Sequence, residues 1–171
     1  HHPTEERRYL EDGFHTPSGK VELYSELMAQ YGYDPLPTYH EPAESPISKP
    51  DLAKEYPLIL VSGPRVRVYI HSQLRNVEAM RKHHPAPLAQ LHPDTARGLG
   101  IADGDMVRVE TSRGSVEMKA QLTSDILPQV VSIPHGWGGK ANANRLTSDA
   151  ELDPISGFPA FKSMLCRVSK I

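Results

Sequence analysis

Residues 99–122 read LGIADGDMVRVETSRGSVEMKAQL, and their pattern decides the fold. Val107 and Val109 alternate with Arg108 and Glu110, Ser112-Arg113-Gly114 turns the chain, and Val116, Met118, Ala120 and Leu122 answer with the same period. A period of two puts these apolar side chains on one face, so the stretch predicts a β-hairpin laid on a core. Just upstream, Pro93 to Leu99 predicts a short helix, with Pro93 suited to its first turn and Gly98 or Gly100 to its end. Leu58 to Val61, Leu88 to Leu91, Val130 to Ile133 and Met164 to Val168 predict further strands, and residues 73–83 a short helix. Strands at short intervals with few helices indicate a mainly β protein. Periodicity alone stops at a small closed barrel or sandwich.

The N-terminal third reads differently. In residues 14–31, Pro17-Ser18-Gly19 makes a turn, Val21 and Leu23 alternate like a short strand, and Tyr24, Leu27, Met28 and Tyr31 follow helical spacing. Residues 34–57 are proline-rich and interrupted by charges, which favours an extended linker or surface strap. The expected division is therefore residues 1–55 as extension and linker, and 56–171 as the barrel. The chain opens HHPTEERR, without initiator methionine or signal-peptide pattern, and is read as a piece of a longer protein. Whether His1 and His2 are native or a tag remnant stays open.

Composition narrows the function classes. A net charge of −2 gives no basic field suited to nucleic acid. The one cysteine, Cys166, excludes an internal disulfide, an iron–sulfur ligand set and a CxxC zinc site. Met164, Cys166 and Val168 share one strand face, so the thiol is expected in the core. No histidine pair has zinc-site spacing, HExxH is absent, and no direct metal ligand or catalytic residue is expected in this chain.

What remains is a series of polar loops. Ser62-Gly63-Pro64-Arg65 follows a buried strand, where backbone N–H groups can approach a ligand closely; an ordinary surface turn fits equally well. His71-Ser72-Gln73-Leu74-Arg75-Asn76 packs four kinds of hydrogen-bonding group into six residues, and a pyrophosphate needs such converging donors. From Arg65 to Lys82, five basic side chains face only Glu78, a local positive field in an acidic chain. Arg81 and Lys82 are read as a solvated helix face. Asp94, beside His92, either caps its helix or recognises a ligand. His135-Gly136-Trp137-Gly138-Gly139 sets glycines around an aromatic ring that either stacks on a ligand or packs over the barrel end. Asn144, ranked above Asn142, offers both donor and acceptor, and Lys162 a point charge.

The ordered set YPLILVSGPR, HSQLRN, LHPDTARGLGIADGDMVRV, IPHGW and NANRLTSDAELDPISGFPAFK resembles the C-terminal dinucleotide-binding domain of the molybdopterin oxidoreductases, the dimethyl-sulfoxide-reductase-like family. The resemblance runs from Phe14 almost to the end. It implies a double-psi β-barrel of the aspartate-decarboxylase-like kind, found in formate dehydrogenase C-terminal domains. It also implies that Gly63, Arg65, His71, Ser72, Gln73, Arg75, His135, Trp137, Asn144 and Lys162 hold a bis-molybdopterin guanine dinucleotide of molybdenum or tungsten. Asp94 would accept hydrogen bonds from the guanine. Any iron–sulfur cluster and the metal's protein ligand would lie in other regions of the parent enzyme. Expected partners are the remaining domains of that parent and, by resemblance, iron–sulfur and membrane subunits, with no nucleic acid. Self-association of this piece alone would not be surprising. The implied setting is bacterial or archaeal, in a periplasmic or membrane-associated complex or in the cytoplasm. HSQLRN leans toward parents reducing sulfoxides, thiosulfate or polysulfide.

Two other classes fit a barrel. One is an interaction or adaptor module without cofactor. The other is a self-contained pyruvoyl-dependent decarboxylase, which matures by cleaving a Gly-Ser bond; here the only such bond is Gly114-Ser115, at the hairpin turn.

Overall fold

The structure is a computed structural model and describes residues 7–62, 66–150 and 152–171. It divides into two compact units, one ending at His40 and the other spanning Glu41–Ile171.

The first unit has two short helices, α1 (Tyr9–Asp12) and α2 (Glu26–Gln30), the latter capped by the Ser25 hydroxyl, which accepts from Met28 N–H at 3.2 Å. The expected strand at Val21 and Leu23 does not form, and both side chains stand in solvent. Two alternating residues without a partner strand cannot pair their backbone groups.

The second unit begins inside the proline-rich stretch, so residues 41–55, grouped by sequence with the linker, pack with the barrel. They include α3 (Pro50–Glu55). Glu44, 5% exposed, accepts the Leu165 N–H at 2.7 Å and pairs with Arg113 at 2.8 Å.

The six strands are β1 (Leu58–Ser62), β2 (Leu88–Leu91), β3 (Met106–Thr111), β4 (Gly114–Leu122), β5 (Val130–Ile133) and β6 (Met164–Lys170). They close a barrel in the order β1-β5-β2-β4-β3-β6. β1/β5 and β2/β4 are parallel, and the other four pairs antiparallel. This is a double-psi β-barrel. Within the hairpin, Val107 faces Met118 and Val109 faces Val116, all four buried, while Arg108 pairs outward with Glu117 at 3.0 Å. The interior is filled by these side chains with Leu60, Leu91, Val131, Ile133 and Cys166. Burial, then the Glu44 charge, push the Cys166 thiol far above its ordinary pKa, which leaves it inert.

Register fixes which loops share an end. β1 and β5 run side by side, and β6 starts opposite the finish of β1. The described residues of the connections from β1 to β2, from β3 to β4 and from β5 to β6 (66–87, 112–113, 134–150 and 152–163) therefore emerge at one end, here termed the rim. Connections 92–105 and 123–129 lie at the far end. Two further helices are α4 (Glu78–His83) on the rim side and α5 (Pro93–Gly98) at the far end. Among the described residues no helix is long and apolar enough to cross a membrane.

Candidate functional site

Gly114 shows how the rim is assembled. Its φ is not positive; a Cβ there would lie 2.5 Å from the Arg145 carbonyl oxygen, so the hairpin needs glycine for close approach rather than for turn freedom. Beside it the buried Thr111 hydroxyl donates to the Leu146 carbonyl at 3.1 Å. These contacts seat the segment that carries Asn144 on the hairpin. A packed strand residue is thus what the only Gly-Ser bond contains.

Two 3₁₀ turns, Gly139–Ala141 and Ala143–Arg145, form that segment. The Asn142 side-chain oxygen accepts the Asn144 N–H at 3.1 Å and so serves as a cap. Asn144 is exposed, and its own amide makes no hydrogen bond among the described residues.

The loop after β1 meets the loop after β5 backbone to backbone. Gly136 has φ +85°, and a Cβ there would stand 2.8 Å from the His71 carbonyl carbon. The His71 and His135 rings lie 4.1 Å apart, and His135 stacks at 6.1 Å on Phe161. The Arg75 guanidinium sits 4.3 Å over the Trp137 ring and donates to the Gly136 carbonyl at 2.5 Å. Trp137, partly buried against the core, meets Tyr69 edge-on at 6.4 Å. The Tyr69 hydroxyl donates to the His84 carbonyl at 2.8 Å. Burial raises the Tyr69 pKa, against the Arg75 charge, and lowers that of His84. The His84 Nε2 is buried without a hydrogen-bond partner among the described residues.

The third contribution comes just before β6. Ser62 N–H donates to the Phe161 carbonyl at 2.9 Å, and Lys162 Nζ to the Ser62 carbonyl at 3.1 Å. Ser72 and Gln73 are exposed on the first loop, where Gln73 N–H closes a turn on Ile70 at 2.8 Å. His71 and Leu74 hold left-handed φ values of +51° and +68°.

The structure thus gathers His71, Ser72, Gln73, Arg75, His135, Trp137, Asn144 and Lys162 at one end, while Gly63 and Arg65 lie outside the described residues. Asp94 is at the far end, where its carboxylate pairs with Arg97 at 2.7 Å and His92 Nδ1 accepts its N–H at 3.2 Å. Lys82 pairs with Glu78 at 3.0 Å on the exposed face of α4, the solvated role expected of it. Sequence reasoning missed Tyr69 and His84; the only advance signal was an aromatic next to the polar string in a chain with few aromatics.

The rim offers exposed amides, a hydroxyl and an ammonium group over a floor of contacting rings. That donor set fits a polar anionic ligand with flat parts.

The family described as molydopterin dinucleotide binding domain matches residues 58–165. Acetylene hydratase of Syntrophotalea acetylenica is 45% identical over 146 residues, which cover 85% of this chain and 19% of that protein. Dimethyl sulfoxide/trimethylamine N-oxide reductase of Rhodobacter capsulatus is 36% identical over 147 residues, 81% of this chain and 17% of that protein. The solved acetylene hydratase from Pelobacter acetylenicus superposes with a TM-score of 0.80 at 38% identity, covering 94% of this chain and 24% of that one. This chain spans about a fifth of the length of these curated relatives.

Proposed function

Because this chain belongs to the molydopterin dinucleotide binding domain family of the molybdopterin oxidoreductases, we propose that its rim holds the pterin and guanine dinucleotide of a bis-molybdopterin guanine dinucleotide cofactor. The observation that supports this most is the meeting of three loops far apart in sequence, 66–77, 134–145 and 161–163, at one end of the barrel. Gln73, Ser72 and Asn144 hydrogen-bond the ligand's polar edges, and Lys162 sets a positive charge beside a phosphate. The His71 and His135 rings and Phe161 form a floor of flat rings beneath it.

When bound, the cofactor supplies the metal centre at which redox chemistry occurs, and this chain contributes placement and electrostatics. Its parent is a larger molybdenum- or tungsten-dependent oxidoreductase. The rest of that polypeptide is the main partner, carries the metal's protein ligand and closes over the rim. A parent that hydrates its substrate is a second reading, favoured by the 45% identity to acetylene hydratase. To test the binding role, Gln73→Ala and Asn144→Ala are introduced into the parent enzyme and cofactor content is measured on the purified protein. A fall in both variants is expected; full loading of both would remove the proposal.

A further inference from the structure

Among the described residues of the rim, Arg75 is the one basic side chain whose guanidinium is engaged twice within the fold. Its face covers the Trp137 indole at 4.3 Å, and one of its N–H groups goes to the Gly136 carbonyl on the opposite loop. We infer that Arg75 is a positioning residue, a clasp that joins the loop after β1 to the loop after β5 and sets the rim before any ligand arrives. This inference rests on reading the rim as the cofactor site, but assigns Arg75 a task other than gripping a phosphate.

Strain in the loop itself is the second observation. His71 and Leu74, neither of them glycine, hold left-handed φ values of +51° and +68°. Such conformations persist only where the surroundings over-determine them. Around these two residues the described structure supplies three ties to the neighbouring loop: the Gly136 backbone packed on His71, the His71 and His135 rings in tilted contact, and Arg75 between Trp137 and the Gly136 carbonyl. Trp137 makes a firm anchor, because Tyr69 meets it edge-on and is held in turn by its hydroxyl on the His84 carbonyl. Cutting the Arg75 tie lets the loop relax from its left-handed turns, and Ser72 and Gln73, which lie between them, lose their places. Direct contact with the ligand is then left to Ser72, Gln73, Asn144 and Lys162.

The guanidinium is suited to this by being flat as well as charged, which an ammonium is not. Substitutions separate the two properties. Arg75→Gln keeps a planar donor without charge, and Arg75→Lys keeps charge without the plane. Trp137 is the only tryptophan, so its fluorescence and acrylamide quenching in the 171-residue chain report the clasp without any ligand. Far-UV circular dichroism and the melting temperature confirm that each variant retains the barrel. The emission of Arg75→Gln, which loses both the charge over the indole and the terminal guanidinium N–H, is expected to shift to the red. Arg75→Lys should show red-shifted emission and stronger quenching, and Arg75→Ala more of both. Cofactor content of the parent enzyme should follow the same order. Wild-type emission in Arg75→Lys or Arg75→Gln, or in all three variants, would overturn the clasp. If Arg75→Ala does not fold, the Gln and Lys variants decide alone. Should the emission follow the expected order while cofactor content is untouched by Gln73→Ala and Asn144→Ala, the clasp stands and the cofactor reading falls.

Discussion

The two ends of the barrel use polar side chains in opposite ways. At the far end they are spent on the fold. Asp105 accepts the Ala102 N–H at 2.8 Å and pairs with Lys170 at 2.7 Å, while Asp103 accepts the Leu122 N–H at 2.8 Å. Gly104, at φ +81°, lets the turn fold back so that its N–H reaches the Ala120 carbonyl at 3.0 Å. These bonds stitch the start of β3 to the end of β4 with few loose donors. At the rim two of the three connections are long, the turns are held by ring contacts and one guanidinium, and Gln73 and Asn144 face solvent beside Lys162, which donates one bond to the Ser62 carbonyl. One end is sealed by satisfying its own backbone; the other keeps donors for something else. Stability and binding should therefore separate by end when residues are changed.

The largest expected effect lies in the strap whose Glu44 bonds to β6. Glu44→Ala strands Arg113 and the Leu165 N–H, and breaking such a pair should cost about 3 kcal/mol in urea unfolding. A loss below about 1 kcal/mol would mean the strap is dispensable. At the rim, Gly136→Ala places a Cβ against the His71 backbone at a left-handed φ. It should lower cofactor content sharply while the barrel's melting temperature moves little, because Gly136 lies outside the core. A large drop in melting temperature would blur the separation of ends. At the far end, Asp103→Ala removes a carboxylate acceptor from a backbone N–H and should cost about 1–2 kcal/mol with cofactor content unchanged.

The acid side of the stability profile sharpens the same contrast. The hydrogen bond from Lys170, followed by the Ala102 N–H, holds the Asp105 carboxyl below the usual carboxylate range. Its contribution is full above the unfolded value and is lost as pH falls through the lowered folded value, so Asp105→Asn should flatten that part of the curve. An unchanged acid limb in urea titrations would contradict this. The smallest effect is expected for Asp94→Ala, within about 0.5 kcal/mol, since its carboxylate is exposed and its partners are the exposed Arg97 at 2.7 Å and the His92 ring at 3.6 Å. Cofactor content should also hold; a clear fall there would bring the far end into the site.

Local pattern was enough for the strands. Val107 and Val109 against Val116 and Met118 needed only a period of two, and the inert Cys166 followed from its place in MLCRV. Which strands pair was not legible, because β1/β5 and β2/β4 are contacts between distant segments that no local alternation encodes. That gap explains the position of Asp94. HSQLRN and LHPD look alike as polar punctuation, yet β2 runs between them, and one strand carries the chain from the rim to the far end. Arg75 shows the complementary limit: its charge is visible in sequence, but its engagement with Trp137 is not. Gly114 was read as a turn glycine, whereas the carbonyl of Arg145, 31 positions away by number, is what excludes a side chain there. In the N-terminal unit the helical spacing of Tyr24, Leu27, Met28 and Tyr31 met α2 only in part, since Leu27 and Met28 lie inside it while Tyr24 and Tyr31 flank it.

Hydrogen–deuterium exchange on the parent enzyme, compared between cofactor-free and cofactor-loaded preparations, tests the central claim most directly. Loading should slow exchange in residues 66–77, 134–146 and 161–163 and leave 92–105 and 123–129 unchanged. Protection concentrated in 92–105, or absent from all three rim segments, would contradict the account.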